Sequence, residues 1–204
     1  MTVDEFETIA LAQQPATQAW EPVTDFSIFG RRLAEGKHPR LILDVLKPVS
    51  VLDVGCGPDA CLVTLMKELR PACMDRIVGI DKSTHGRVAD LSDPLMALSW
   101  GLHSDVVICR EVLEHLTLRE MRIAVTNLCR MSQRLVYGTT RFSSDDDIYS
   151  VVTHDDLDPT HITLPSKVLL RVLFALEGFR YRGDLAAKMD WMKKGRTFVY
   201  ERAV

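Results

Sequence analysis

Val51-Leu52-Asp53-Val54-Gly55-Cys56-Gly57-Pro58-Asp59-Ala60 runs from a short apolar stretch into two glycines one residue apart and then a proline. The apolar stretch has the length and β-branched content of a buried strand. Gly55 and Gly57 permit backbone conformations and close approaches that a Cβ forbids, and Pro58 suits the first turn of a following helix. Strand, glycine turn and helix in succession form the loop with which a parallel sheet holds a ligand.

Outward from this turn, short Val/Ile/Leu-rich runs alternate with longer amphipathic ones, the pattern of a parallel sheet covered on both faces by helices. Strands are expected near 50–54, 76–80, 86–89, 104–109 and 134–139, and helices near 58–69, 93–101, 117–131 and 165–177. Phe179–Arg182 and Thr197–Glu201 read as two closing strands, an antiparallel hairpin joined by the segment around Trp191. The expected fold is α/β: a Rossmann-like, doubly wound, seven-stranded, mostly parallel sheet with an antiparallel last strand. Residues 1–47, broken by Pro15, Pro22 and Pro39, read as an N-terminal helical lid segment ahead of one compact domain at 48–204. Arg141 to Pro165 reads as one long irregular stretch after a strand's carboxyl end, where open α/β sheets bind ligands.

A chain of 204 residues with 47% apolar content has enough core for one such domain. Its net charge of −3 provides no electrostatic grip for a nucleic-acid backbone or an anionic membrane, which favours a small-molecule partner. The five cysteines form no C-x-x-C pair and sit mostly in apolar stretches, as free thiols of a reducing compartment do. With an acidic amino terminus and no apolar run of about 18 residues, the chain is expected to be cytoplasmic, with no membrane partner.

Gly55-Cys56-Gly57-Pro58-Asp59-Ala60 also satisfies the G-x-G-x-x-A dinucleotide fingerprint, with Asp81 as the ribose-binding acid, so NAD is a rival ligand. The order of several motifs separates the two. With VLDVGCG at 51–57, VGID at 78–81, VADL at 88–91 and DVVICREVLEHL at 105–116, the chain resembles the class I S-adenosylmethionine-dependent methyltransferases over about residues 48 to 140. Asp158-Pro-Thr-His161 and Glu177-Gly-Phe179 extend the likeness more loosely.

The resemblance implies that S-adenosylmethionine is the cofactor. Asp53 and the Gly55-Cys56-Gly57 turn would embrace its methionine part, and Asp81, with Lys82 beside it, would accept from both ribose hydroxyls. Asp90 would accept from the adenine amino group while the Leu91 backbone reads the ring edge, and Arg110 and Glu111 would line the cofactor from the strand before them. One position departs from the family pattern: Asp59 stands where a third glycine is usual, and places a carboxylate near the helix start.

Read as one helix, Glu111, Glu114 and His115 would share a face with metal-ligand spacing. Metal-dependent small-RNA 2′-O-methyltransferases resemble this stretch, but ordinary members carry EVLEHL without a metal. No metal is expected here. His161, in the long loop, is the candidate catalytic base for drawing a proton from a hydroxyl acceptor. The expected activity is direct in-line transfer of a methyl group to an oxygen or nitrogen of a small-molecule acceptor. The alternatives are a metal-assisted RNA 2′-O-methyltransferase and a non-catalytic methyltransferase-fold partner protein.

Overall fold

In the computed structural model, residues 37–82, 89–101, 103–143, 147–151 and 160–203 are described. Four parallel strands form the centre of the sheet: β1 (Val51–Val54), β2 (Ile77–Ile80), β3 (Ser104–Arg110) and β4 (Ser132–Thr139). β7 (Phe179–Tyr181) and β8 (Thr197–Arg202) complete the order β2-β1-β3-β4-β8-β7, with β8 antiparallel to both of its neighbours. The sheet thus has six strands among the described residues, where seven are expected from sequence. The strand expected at 86–89 lies outside the described residues except for Ala89, whose N–H donates to the Asp81 carbonyl at 3.1 Å.

Strand alternation divides the interior into two layers. Leu52, Val54, Val107, Cys109, Val136 and Phe198 point to one face, covered by helices α3 (Met96–Trp100), α4 (Leu118–Met131) and α5 (Lys167–Leu176). Val51, Val106, Ile108, Leu135, Tyr137 and Val199 point to the other. That face is covered by α1 (Lys37–Leu41) with its π-helical extension Ile42–Leu46, by α2 (Cys61–Leu69) and by α6 (Gly183–Met189).

Local signals set the helix starts. Thr117 and Glu120 form a reciprocal capping box at the start of α4, and the Ser166 hydroxyl accepts from Leu169 N–H at the start of α5, each cap contributing about 1 kcal/mol. α2 starts at Cys61 rather than near 58, because Gly57 and Ala60 both take positive φ and the backbone is not yet helical at Pro58. At the amino ends of the strands, Arg134 forms a two-pronged ion pair with Asp105, both contacts 2.7 Å, and also donates to Leu46 O at 2.9 Å. This contact fastens the 37–46 helical segment to the sheet, and Ile42, Leu43 and Leu46 are fully part of the core. The remainder of the expected lid segment lies outside the described residues.

The stretch from Arg141 to Pro165 is not irregular throughout. β5 (Tyr149–Val151) and β6 (Thr163–Pro165) pair antiparallel as a separate ribbon. At three residues each, these strands are shorter than a run that alternation can reveal, and the acidic residues between them read as loop.

Candidate functional site

The order of strands reverses between β1 and β3, and the carboxyl ends of these two strands open a crevice where such sheets take ligands. Gly55 and Cys56 leave β1 with their N–H groups donating to Ile80 O at 2.8 and 3.2 Å, which fixes the turn to the end of β2. The two glycines have different reasons. A Cβ on Gly55 would collide with the Val112 side chain, whereas one on Gly57 would meet nothing within 4 Å. Gly55 makes room for the chain leaving β3, and Gly57 faces the crevice with bare backbone. Both hold φ above +70°, where an L side chain is strained.

Asp81 lies just past β2, and its Oδ2 accepts from Gly57 N–H at 2.9 Å. The carboxylate expected to hold a diol therefore also braces the glycine turn. Lys82 beside it is exposed. Asp53 is buried on β1. Burial pushes its carboxyl up to about 6, Arg110 pulls it back, and Asp81 pushes it further up. Cys56 is similarly raised to about 12, first by burial and then by the negative charge of Asp53 and Asp81.

Asp90 and Leu91 follow on a loop outside the sheet. Asp90 Oδ1 accepts from both the N–H and the hydroxyl of Ser92, at 2.9 and 2.7 Å. The loop is tied to α4 by Asn127, whose amide donates to Leu91 O at 2.9 Å and to Asp93 O at 2.7 Å. The sequence reading did not single out Asn127. Its signal is a polar residue on the α4 face that carries Met121, Ala124, Val125 and Leu128.

Arg110 ends β3 on the same face as Asp53, and its Nε is buried with no hydrogen-bond partner. Glu111 follows with φ +50°, an unusual backbone for a glutamate; its N–H donates to Thr139 O at 2.8 Å, and its Oε1 is also buried without a partner. The single helix over 111–115 that a metal-ligand reading of Glu111, Glu114 and His115 needs does not form. Glu111 breaks it, Leu113–His115 is one 3₁₀ turn, and α4 begins only after the Thr117 cap. Glu111, Glu114 and His115 therefore share no helical face. Glu114 points inward, accepting from the Thr140 hydroxyl at 2.9 Å, and His115 Nδ1 lies 2.9 Å from the Thr160 hydroxyl. Among the described residues no three His, Cys, Asp or Glu side chains gather as a metal site.

His161 reaches this turn through the ribbon: Ile162 N–H donates to Glu114 O at 2.7 Å, and the His161 and His115 rings lie 5.0 Å apart. Asp59 is exposed in the turn ahead of α2. Asp158 lies outside the described residues. A further group went unread: His38 is completely buried, with Nε2 2.7 Å from the Tyr137 hydroxyl and its ring stacked on Trp191 at 5.3 Å. Burial, helped by Arg110, depresses His38 to about 2.

No protein-family model and no curated protein matches the chain. Solved structures do. An O-methyltransferase family protein from Burkholderia thailandensis superposes with a TM-score of 0.57 at 12% identity, over 98% of this chain and 69% of that one. An amino pentose methyltransferase from Micromonospora echinaspora, solved with SAM bound, gives 0.57 at 14% identity, over 93% of this chain and 100% of that one. A sugar N-methyltransferase from Streptoalloteichus gives 0.58 at 16% identity, over 93% and 98%. The likeness shows the fold: the chain has the Rossmann-like α/β architecture on which these three solved methyltransferases are also built. Six strands, the reversal between β1 and β3 and the antiparallel β8 are the features that place it there.

Proposed function

We propose that the protein is an S-adenosylmethionine-dependent methyltransferase acting on an oxygen or nitrogen of a small-molecule acceptor. The observation that carries this reading is the set of polar groups converging on the β1/β3 crevice. Gly57 faces open space, Asp53 and Asp81 offer carboxylates on one side, and the buried Arg110 Nε and Glu111 Oε1 lack partners on the other. A ligand carrying an amino acid group, a diol and an amino-substituted ring suits such a set.

On this reading, Asp53 faces the cofactor's ammonium, and the Gly55-Cys56-Gly57 turn admits its amino acid portion. Arg110 donates to its carboxylate. Asp81, beside Lys82, accepts from the ribose hydroxyls while its Oδ2 also accepts from Gly57 N–H. Asp90 Oδ2 accepts from the adenine amino group, since Oδ1 is engaged by Ser92, and the Leu91 backbone reads the ring edge. When bound, the sulfonium supplies an activated methyl group. The chain then needs mainly to orient the acceptor and keep water out. His161, brought against the EVLEH turn by the ribbon, is placed to take a proton from a hydroxyl acceptor as its oxygen attacks.

Cys56, Cys61, Cys109 and Cys129 are free thiols, in keeping with a reducing cytoplasmic setting, and among the described residues no helix is long and apolar enough to cross a membrane. The test is transfer of labelled methyl from S-adenosylmethionine to a panel of small amines and alcohols, with short RNAs as a parallel arm. Label in a small product, reduced about a hundredfold by His161→Ala for a hydroxyl acceptor, is the expected result. Label confined to RNA and lost on chelation indicates instead the metal-assisted RNA enzyme. Cofactor binding with no transfer to any acceptor indicates a non-catalytic partner protein.

A further inference from the structure

Glu111 and Glu114 form a carboxyl unit of which the cofactor reading uses only Glu111. Glu114 is completely buried and Glu111 retains 26% of its side-chain exposure. Each Oε2 has a recognisable neighbour: the Thr140 hydroxyl donates to that of Glu114 at 2.9 Å, and Arg196 stands 3.9 Å from that of Glu111. Each Oε1 is buried and faces no N–H or O–H donor, while the two carboxyl groups lie within hydrogen-bonding reach of each other. Two carboxylates in this arrangement would leave two desolvated anions in contact, at high cost. One proton between them supplies the missing donor and removes one charge.

The pair is held by the fold. Glu111 adopts φ +50° with its N–H fixed to Thr139 O at 2.8 Å, and the Glu114 carbonyl is pinned by Ile162 N–H at 2.7 Å. An outlying backbone angle beside a ligand crevice is strain that the surrounding structure maintains. Among the described residues, Cys109 on β3 lies near both carboxyl groups and Tyr137 on β4 near that of Glu111, Arg110 directly precedes Glu111 in the chain, and Arg196 ahead of β8 stands beside it. His115 and His161 lie on the ribbon side of the pair. Burial first, and the Glu111 charge second, hold the Glu114 carboxyl well above the usual carboxylate range.

We propose that Glu111 and Glu114 share one proton, and that the pair gives it up to solvent when the sulfonium form of the cofactor is bound and regains one when only the neutral thioether remains. This rests on the cofactor reading above, which places Glu111 along the ligand. A cation set beside the pair favours its doubly ionised state, and removal of that cation favours the protonated state. Glu114 and Thr140 act as positioning residues: they hold the proton against Glu111 and do not reach the ligand.

The test is calorimetric titration of the whole protein with S-adenosylmethionine and with S-adenosylhomocysteine, each near neutral pH in buffers of different ionisation enthalpy, which gives protons released per ligand bound. More release with the sulfonium than with the thioether is expected, with the difference lost in Glu111→Gln and in Glu114→Gln. The second variant keeps the Thr140 contact and the shape of the protonated acid, so it remains informative if the first binds weakly. Equal release for both ligands overturns this inference and leaves the cofactor reading standing. A difference that survives Glu114→Gln and disappears in His161→Gln also overturns it, because the proton then belongs to the histidine. Binding of neither ligand removes the cofactor reading, and this inference with it.

Discussion

The two faces of the sheet reach the same crevice with different chemistry. On the face beneath α3, α4 and α5, the strands end in Val54, Cys109 and Gly138, and the layer is mostly apolar, with Phe174 stacked on Tyr200 at 3.9 Å between ring centres. On the face beneath α1, α2 and α6, the same strands end in Asp53 and Arg110, with Tyr137 and His38 directly behind them. One face supplies rigidity and the other the polar groups to which the proposed site belongs. The difference teaches where titration acts: protons should matter on the second face and packing on the first.

The largest effect that sharpens this contrast is on the packed face. A Cβ at Gly138 would collide with the Cys109 carbonyl and the Phe198 ring, and backbone cannot yield cheaply. Gly138→Ala should cost about 3 kcal/mol or more in chemical denaturation, with no dependence on pH. A cost that varies with pH would break the division between the faces.

On the polar face, His38 is held neutral in the folded state, with its pKa lowered from 6.5 to about 2 by burial and by Arg110. Below its ordinary pKa the unfolded chain binds a proton that the folded chain does not. Stability contributed by His38 is therefore present above pH 6.5 and lost as pH falls toward 2, at about 1.4 kcal/mol per pH unit. Urea denaturation across this range should show an acid limb that is shallower by one proton in His38→Gln.

Asp53 titrates in the opposite sense, because its folded pKa is raised to about 6. For folding alone, its contribution is present at low pH and lost as pH rises through that value. For an ammonium-bearing ligand the ionised form is the partner. Affinity for S-adenosylhomocysteine should fall by about tenfold per pH unit below 6, and this acid dependence should vanish in Asp53→Asn. A pH-independent affinity in the parent protein would remove Asp53 from the site.

The smallest effect separates the two turn glycines. Gly57→Ala meets open space, so its cost in stability is limited to the strain of φ +73°, about 1 kcal/mol, while ligand binding suffers further. Gly55→Ala collides with Val112 and should destabilise the fold more than Gly57→Ala does. Thermal unfolding with and without ligand distinguishes the two.

Legibility in the sequence followed the range of the interactions. Asp53, the glycine turn and Asp81 lie at strand ends that Val/Ile/Leu runs announce, so their shared position was readable. The Thr117-x-x-Glu120 cap is likewise written locally, and together with the Glu111 backbone it excludes the helical face that a metal-ligand reading of EVLEH requires. His38 and Tyr137 are 99 residues apart in the chain, and Thr140 is 26 from Glu114. Nothing in a one-dimensional pattern marks such partners. The β5/β6 ribbon escaped notice because three-residue strands carry too few alternations to stand out from a polar loop.

The central claim is that the β1/β3 crevice holds S-adenosylmethionine. Calorimetric titration with S-adenosylhomocysteine and, separately, with NAD tests it most directly, in the parent protein and in Asp81→Asn. One site per chain is expected for S-adenosylhomocysteine, weakened about tenfold or more by Asp81→Asn through loss of charge-assisted hydrogen bonds, and no site for NAD. Binding of NAD at a site sensitive to Asp81→Asn, or binding of neither ligand, would contradict it.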